Sequence, residues 1–280
     1  MNKRFTWLCS FTARAAFALA LAAPLFAQVA DGDRHWAMRA QNKAEHIDAA
    51  IASYQRAVAA NANDLEAQWK LLRAYRFKGA YVAASADEKK KVYGTAKIAG
   101  EKARAAVDKV LGVNAKTPEK QVAEAARKHP GAAEVYLWDA VNWGEWALAY
   151  GKMAAAREGA ADRIRRQATI AHLVDPRLDN GTPSRVLGRL HDQTPRIPFI
   201  TGWASSKEAV RFLEESYRID PANKTTVVFL AEALVAHDSK TRPRAIKLLR
   251  DMIAAPNHPD WLIEDMASVD DAKALLRKWE

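Results

Sequence analysis

Cysteine is almost absent from the 280 residues: Cys9 stands alone, which excludes a disulfide framework, a Cys-x-x-Cys redox pair and a cysteine-rich zinc site. Glycine and proline are sparse too, at 12 and 11 residues, so collagen-like and low-complexity chains are excluded. The longest apolar run, Ala15 to Phe26, is about twelve residues, short of the ~20 that cross a bilayer as a helix. No Gly-x-Gly-x-x-Gly, P-loop or Gly-x-Ser-x-Gly pattern occurs, and nucleotide-binding and hydrolase readings lose their usual support. The seven histidines, His35, His46, His129, His172, His191, His237 and His258, include no pair three or four residues apart, so no single helix offers two imidazoles to one metal. Paired carboxylates such as Glu214 and Glu215 are adjacent in sequence and diverge by about 100° on a helix, too far to converge on one bond. The expectation is a protein that is not an enzyme and carries no cofactor and no metal.

What is present describes an ordinary globular chain, 49% apolar and 27% charged, long enough for a sizeable core. Lys3, Arg4 and Arg14 form a basic leader with no acidic residue before Asp31, and the apolar run follows directly. That order is the grammar of a secretory signal, with cleavage expected after Ala27. The organisation is then a signal peptide over 1–27 and one helical domain over 28–280. The mature part would hold no cysteine, which suits an oxidising compartment, and the short leader points to a bacterial periplasm. The positive balance, 43 basic against 33 acidic residues, is spread along the chain. Its densest clusters, Lys89 to Lys91 and Arg163, Arg165 and Arg166, read as solvated helix faces. Export also argues against nucleic acid as a partner.

From Met38 onward Ala, Leu, Lys, Arg and Glu dominate, and alternating β-branched runs are missing, so the segments read as helices. Start signals recur at Asn63 with Glu66, Ser205 with Glu208, Thr117 before Pro118 and Thr182 before Pro183. The segments also share the tetratricopeptide period, in which small residues let two helices approach and Pro ends the second. Ala209, Leu213, Ser216 and Pro221 carry the second-helix spacing, repeated one hairpin earlier by Ile164, Ala168, Ala171 and Pro176. First-helix positions are Leu187, Gly188 and His191, then Leu230, Ala231 and Leu234. Ala50, Tyr54 and Ala57, then Leu71 and Tyr75, keep a similar register near the start. The fold class is therefore all-α, with tetratricopeptide-like helical hairpins in a single compact solenoid or bundle. Two stretches are overlong for strict repeats: residues 79 to 118, and the insert after Gly188 with Pro195, Pro198, Phe199 and Gly202. Such inserts either carry function or cover a hairpin edge.

The stretch densest in such signals resembles a known family. Trp138, Asn142, Gly144, Asp175 and Pro176, the run Arg185 to His191, Pro195, Pro198 and the run Phe229 to Leu234 are similar to the T-component proteins associated with TRAP transporters. The resemblance spans roughly residues 40 to 255. It implies an exported, non-catalytic protein of tetratricopeptide-like hairpins that partners a periplasmic solute-binding protein or envelope component and handles an apolar ligand. Similar proteins serve bacterial lipid and sterol trafficking, so a lipid, hopanoid or sterol is the implied ligand class, and the resemblance leaves room for a homo-oligomer. His191 departs from the commoner Tyr of that motif and puts its aromatic contact in doubt.

Residues Gly131 to Tyr150 stand out for their aromatics. Tyr136, Ala140, Trp143, Ala147 and Tyr150 fall on one helical stripe, and Leu137, Val141, Gly144 and Leu148 on a second, where Gly144 would admit a neighbouring helix. Apolar character around most of the circumference means a buried central helix. Three Trp are hard to pack without gaps, so this helix is expected to wall an apolar cavity. Tyr136, Trp138, Trp143, Trp146 and Tyr150 would supply the wall, Asp139 and Asn142 would orient a polar end, and Phe199 of the insert completes the candidate set. A plain aromatic core is the competing reading. The competing function is a protein-interaction scaffold that holds a partner peptide in a helical groove without a small-molecule ligand.

Overall fold

The computed structural model describes residues 27–280, so the leader read over 1–27 falls, Ala27 apart, outside the described residues. Those residues form α-helices, with short 3-10 and π segments and no strand among them. Residues 27–37 are helical (α1), including the polar stretch from Gln28 to Arg34. Helices α2 (Lys43–Ala60) and α3 (Leu65–Phe77) make the first hairpin. Asp64, one residue beyond the expected Asn63, caps α3 by accepting from the Ala67 N–H, while the Asn63 N–H donates to Asn61. A π turn over Lys78–Val82 then leads into α4 (Ala86–Leu111), whose 26 residues account for most of the first overlong stretch. Helix α4 ends at Gly112, whose φ of 66° needs glycine's freedom in the left-handed region.

The remaining helices are α5 (Glu119–Ala126), α6 (Ala132–Tyr150), α7 (Lys152–Arg157), α8 (Ala160–Val174), α9 (Leu178–Gln193), α10 (Ser206–Ile219), α11 (Lys224–His237), α12 (Arg242–Ala254) and α13 (Leu262–Trp279). Ser205 caps α10 by accepting from the Glu208 N–H, as its spacing suggested. Thr117 accepts from the Asn114 N–H and thereby holds the preceding turn; it does not cap α5. In α9 the backbone of Asp179, Asn180 and Gly181 is left-handed, so the regular helix begins at Thr182.

Helix pairs α2–α3, α4–α6, α6–α8, α9–α10 and α11–α12 pack in series, and the small-residue pattern decides how closely. A Cβ on Gly188 would lie 2.6 Å from Leu213 Cγ and 3.1 Å from the Ala209 carbonyl oxygen. That crossing admits only glycine on α9, and Ala209 and Leu213, both fully buried, complete it on α10. His191 makes aromatic contacts: its ring stacks with Phe212 at 5.9 Å and meets Trp203 edge-on at 5.3 Å. Its Nδ1 also accepts the Ser205 N–H, which ties the insert back onto α9.

The two ends of the described chain meet. Arg39, just beyond α1, pairs with Glu264 of α13 at 3.1 Å across 225 residues of sequence, and also donates to the Asp260 carbonyl oxygen. The series of hairpins thus curves around an interior that stays open on one side. Helices α3, α6, α8, α9 and α11 face it, α13 borders it, and α4 and α12 stand outside.

Candidate functional site

The interior is a cavity of about 880 Å³, within the ~300–1,000 Å³ of small-molecule sites. Each inner helix contributes a stripe with helical spacing. Arg73, Arg76 and Phe77 come from α3, Trp138, Val141, Glu145 and Leu148 from α6, Arg185 and Arg189 from α9, and Thr225 and Phe229 from α11. Trp36 and Trp261 stand on the wall where the chain ends meet. Leu148, Ile197 and Ile200 line the cavity yet are well exposed, Leu148 at 70%, so the cavity opens beside them. Exposed Met153 of α7 and Phe199 of the insert accompany this apolar rim.

Of the eight expected ligand residues, Trp138 alone lines this cavity. Tyr136 is buried among the residues between α4, α5 and α6 and donates its hydroxyl to Asp108 at 2.6 Å. Asn142 is fully buried and spends its amide on the carbonyl oxygens of Leu72 and Trp138. Trp143 and Trp146 pack edge to face at 5.4 Å in the core with α8, and Tyr150 stacks on Trp146 while donating to the Lys90 carbonyl oxygen. Phe199 is fully exposed at a left-handed position, φ 63°, on the rim outside the cavity. Asp139 is fully buried beside α4 and reaches no ligand position: a Cβ on Gly100 would lie 2.0 Å from its Oδ1. Neither of its carboxylate oxygens has a hydrogen-bond partner, and burial pushes its pKa up to about 7. Tyr136, Trp143 and Trp146 of α6 are therefore core, with Tyr150 at its exposed end, and the opposite face of the same helix walls the cavity. Gly144 is corrected likewise. Nothing lies within 4 Å of a Cβ placed there, so the glycine fronts open volume where a helix contact was expected.

The wall is apolar with an arginine content that the sequence reading passed over. Arg73 lies 4.0 Å from the Trp36 ring and 4.8 Å from the Trp69 ring, and Arg189 lies 4.4 Å from Phe229. Arg76 pairs with Glu145 at 3.2 Å and donates to the Tyr81 hydroxyl at 2.8 Å. Burial works against its charge, but Tyr81 and Glu145 more than offset it and keep the guanidinium protonated. Arg185 donates to the Thr226 hydroxyl at 3.0 Å and to that of Thr182. For Arg73 and Arg185 burial prevails and lowers the pKa, though an arginine so placed remains charged. The available signal was the spacing of Arg73 with Arg76 and of Arg185 with Arg189, cations three and four residues apart on otherwise apolar stripes.

Among the described residues, no cluster of His, Cys, Asp and Glu could hold a metal ion, and no helix is long and apolar enough to cross a membrane. Compared with known proteins, the chain matches no family model and no curated protein. The functional reading therefore rests on the cavity and on the sequence patterns.

Proposed function

We propose that the chain is a non-catalytic transport accessory of the bacterial periplasm that shields an apolar or lipid-like molecule in its central cavity and meets a solute-binding or envelope partner. The observation that carries this reading is the cavity itself, about 880 Å³ with Phe77, Tyr81, Trp138, Val141 and Phe229 on its wall and an exposed apolar rim at its opening. Burying about 300 Å² of apolar ligand surface there would contribute on the order of 7 kcal/mol before the losses of association. A carrier must also release its cargo to another surface, and Leu148, Ile197, Phe199 and Ile200 offer that surface apolar contact where the cavity opens. The leader-like N-terminus and the resemblance to T-component proteins support the periplasmic placement and the partner class.

Gly144 provides the test. Gly144→Phe puts a ring into open volume from the middle of a helix, where leaving glycine also favours the helical backbone. The purified protein should bind an apolar fluorescent probe such as N-phenylnaphthylamine saturably. Gly144→Phe should weaken that binding at least tenfold while its melting temperature stays within a few degrees of the parent's. Undiminished binding by the folded variant would take the ligand out of this cavity.

A further inference from the structure

We propose that the cavity takes an amphiphile with an anionic head, a long-chain carboxylate or phosphate ester, and that Arg73 and Arg185 hold the head. The inference rests on the carrier reading and narrows its ligand class. It starts from the charges on the wall. Arg76 is matched by Glu145 at 3.2 Å, Arg189 by Asp192 at 3.0 Å and Glu232 at 2.8 Å, and Arg39 behind the wall by Glu264 at 3.1 Å. Lys152 is exposed and solvated. Arg73 and Arg185 differ: among the described residues neither forms an ion pair with any carboxylate. The Arg73 Nε is buried with no hydrogen-bond partner at all. Arg185 bonds only to the hydroxyls of Thr226 and Thr182, which are neutral acceptors.

The carboxylates of the wall are committed elsewhere. Asp162 pairs with Arg165 at 3.5 Å and accepts from the Trp203 indole N–H at 2.9 Å. Asp265 accepts the His258 N–H at 2.8 Å, and Asp220 the Ala222 N–H at 3.1 Å. Asp179 bears on both guanidiniums through space, but its Oδ2 accepts from the Thr182 hydroxyl at 2.7 Å within the left-handed turn. Asp33 also bears on Arg73 and Asp220 on Arg185 through space, but none of these carboxylates is a direct counter-ion, so two half-buried cations remain that an anion in the cavity would pair. The recognition chemistry follows from the group. A guanidinium presents parallel N–H donors that match the two oxygens of a carboxylate or phosphate, whereas an alcohol head satisfies them poorly and an ammonium head is repelled. The Trp138 ring and the stripe of Val141 and Leu148 then take the apolar tail.

The test titrates the lipid-stripped protein, with N-phenylnaphthylamine displacement as readout, against dodecanoate, dodecyl phosphate, dodecanol, dodecyltrimethylammonium, butyrate and inorganic phosphate. At least one dodecyl anion should bind tenfold or more tighter than dodecanol, with the ammonium the weakest of the dodecyl compounds and butyrate and inorganic phosphate at least a hundredfold weaker than the corresponding dodecyl anion. The preferred dodecyl anion identifies the head as carboxylate or phosphate. Arg73→Gln and Arg185→Gln should each reduce the preference for anion over alcohol at least threefold and leave dodecanol within twofold. Arg73→Lys, which keeps the charge and loses the fork, should be intermediate and serves if a Gln variant fails to fold. Equal binding of dodecanol and the dodecyl anions by the parent overturns the anionic head and leaves the carrier reading standing. Inorganic phosphate binding as tightly as dodecyl phosphate overturns the tail. A preference surviving both Gln substitutions overturns the assignment to these arginines, and failure of every dodecyl compound to displace the probe overturns the carrier reading itself.

Discussion

Asp139→Asn should stabilise the protein at pH 8 by about 2–4 kcal/mol, an unusual sign for a change at a fully buried site. The folded carboxyl is pushed up to about 7, chiefly by burial. The Gln167 amide, outside hydrogen-bonding geometry, together with Arg104 and Arg163, offsets part of that burial. In the unfolded chain the same group titrates near about 3.9. Below both values the carboxyl is protonated in both states and contributes nothing to the pH dependence. Between them the unfolded chain loses its proton while the folded one retains it, so stability falls as pH rises from about 4 to 7 and stays low above. Three pKa units correspond to about 4 kcal/mol. Asn keeps the shape, carries no charge and places N–H donors beside Gln167, whose Oε1 also lacks a partner. Urea unfolding at pH 5 and pH 8 checks this. The gain from Asp139→Asn should be clearly larger at pH 8, and equal gains at both pH values would show that Asp139 is ionised in the fold.

Trp143→Ala should cost about 3–5 kcal/mol of folding stability, the range for deleting a large buried aromatic. Trp143 is 0% exposed, packs edge to face on Trp146, and carries Lys97 at 4.7 Å and Arg163 at 4.9 Å from its ring. Its neighbours Ala140, Ile164 and Ala168 leave the site little means of collapsing onto the space vacated. Because Trp143 points away from the cavity face of α6, the folded fraction of the variant should bind an apolar probe within threefold of the parent. A tenfold loss of probe binding with the unfolding midpoint unchanged would return Trp143 to the ligand wall.

These two residues show where the sequence stopped being informative. The hairpin pattern was legible because close approach is a local demand: Gly188 and Ala209 are small for the same reason that Leu213 fits between them. The aromatic helix was legible as buried, since apolar residues surround it, but that same uniformity conceals which face meets a neighbour and which meets a void. Only the packing of α4 and α8 assigns Trp143 to core and Val141 to cavity. Gly144 illustrates the ambiguity, because a glycine is equally suited to a tight helix crossing and to open volume. The arginines were concealed for another reason. On a single amphipathic helix Arg73 and Arg185 look like a solvated edge; what half-buries them is contact with distant segments, Trp36 for Arg73 and Thr226 for Arg185, too far away in sequence for periodicity to reveal.

The central claim is that the cavity carries a lipid-like cargo. The most direct measurement exposes the purified protein to a total membrane lipid extract, repurifies it, and identifies by mass spectrometry what remains bound. One enriched lipid class at about one molecule per chain, retained by the parent and lost in Gly144→Phe, is the result expected here. A protein that emerges free of lipid, or that retains the same mixture with and without Gly144→Phe, would contradict it.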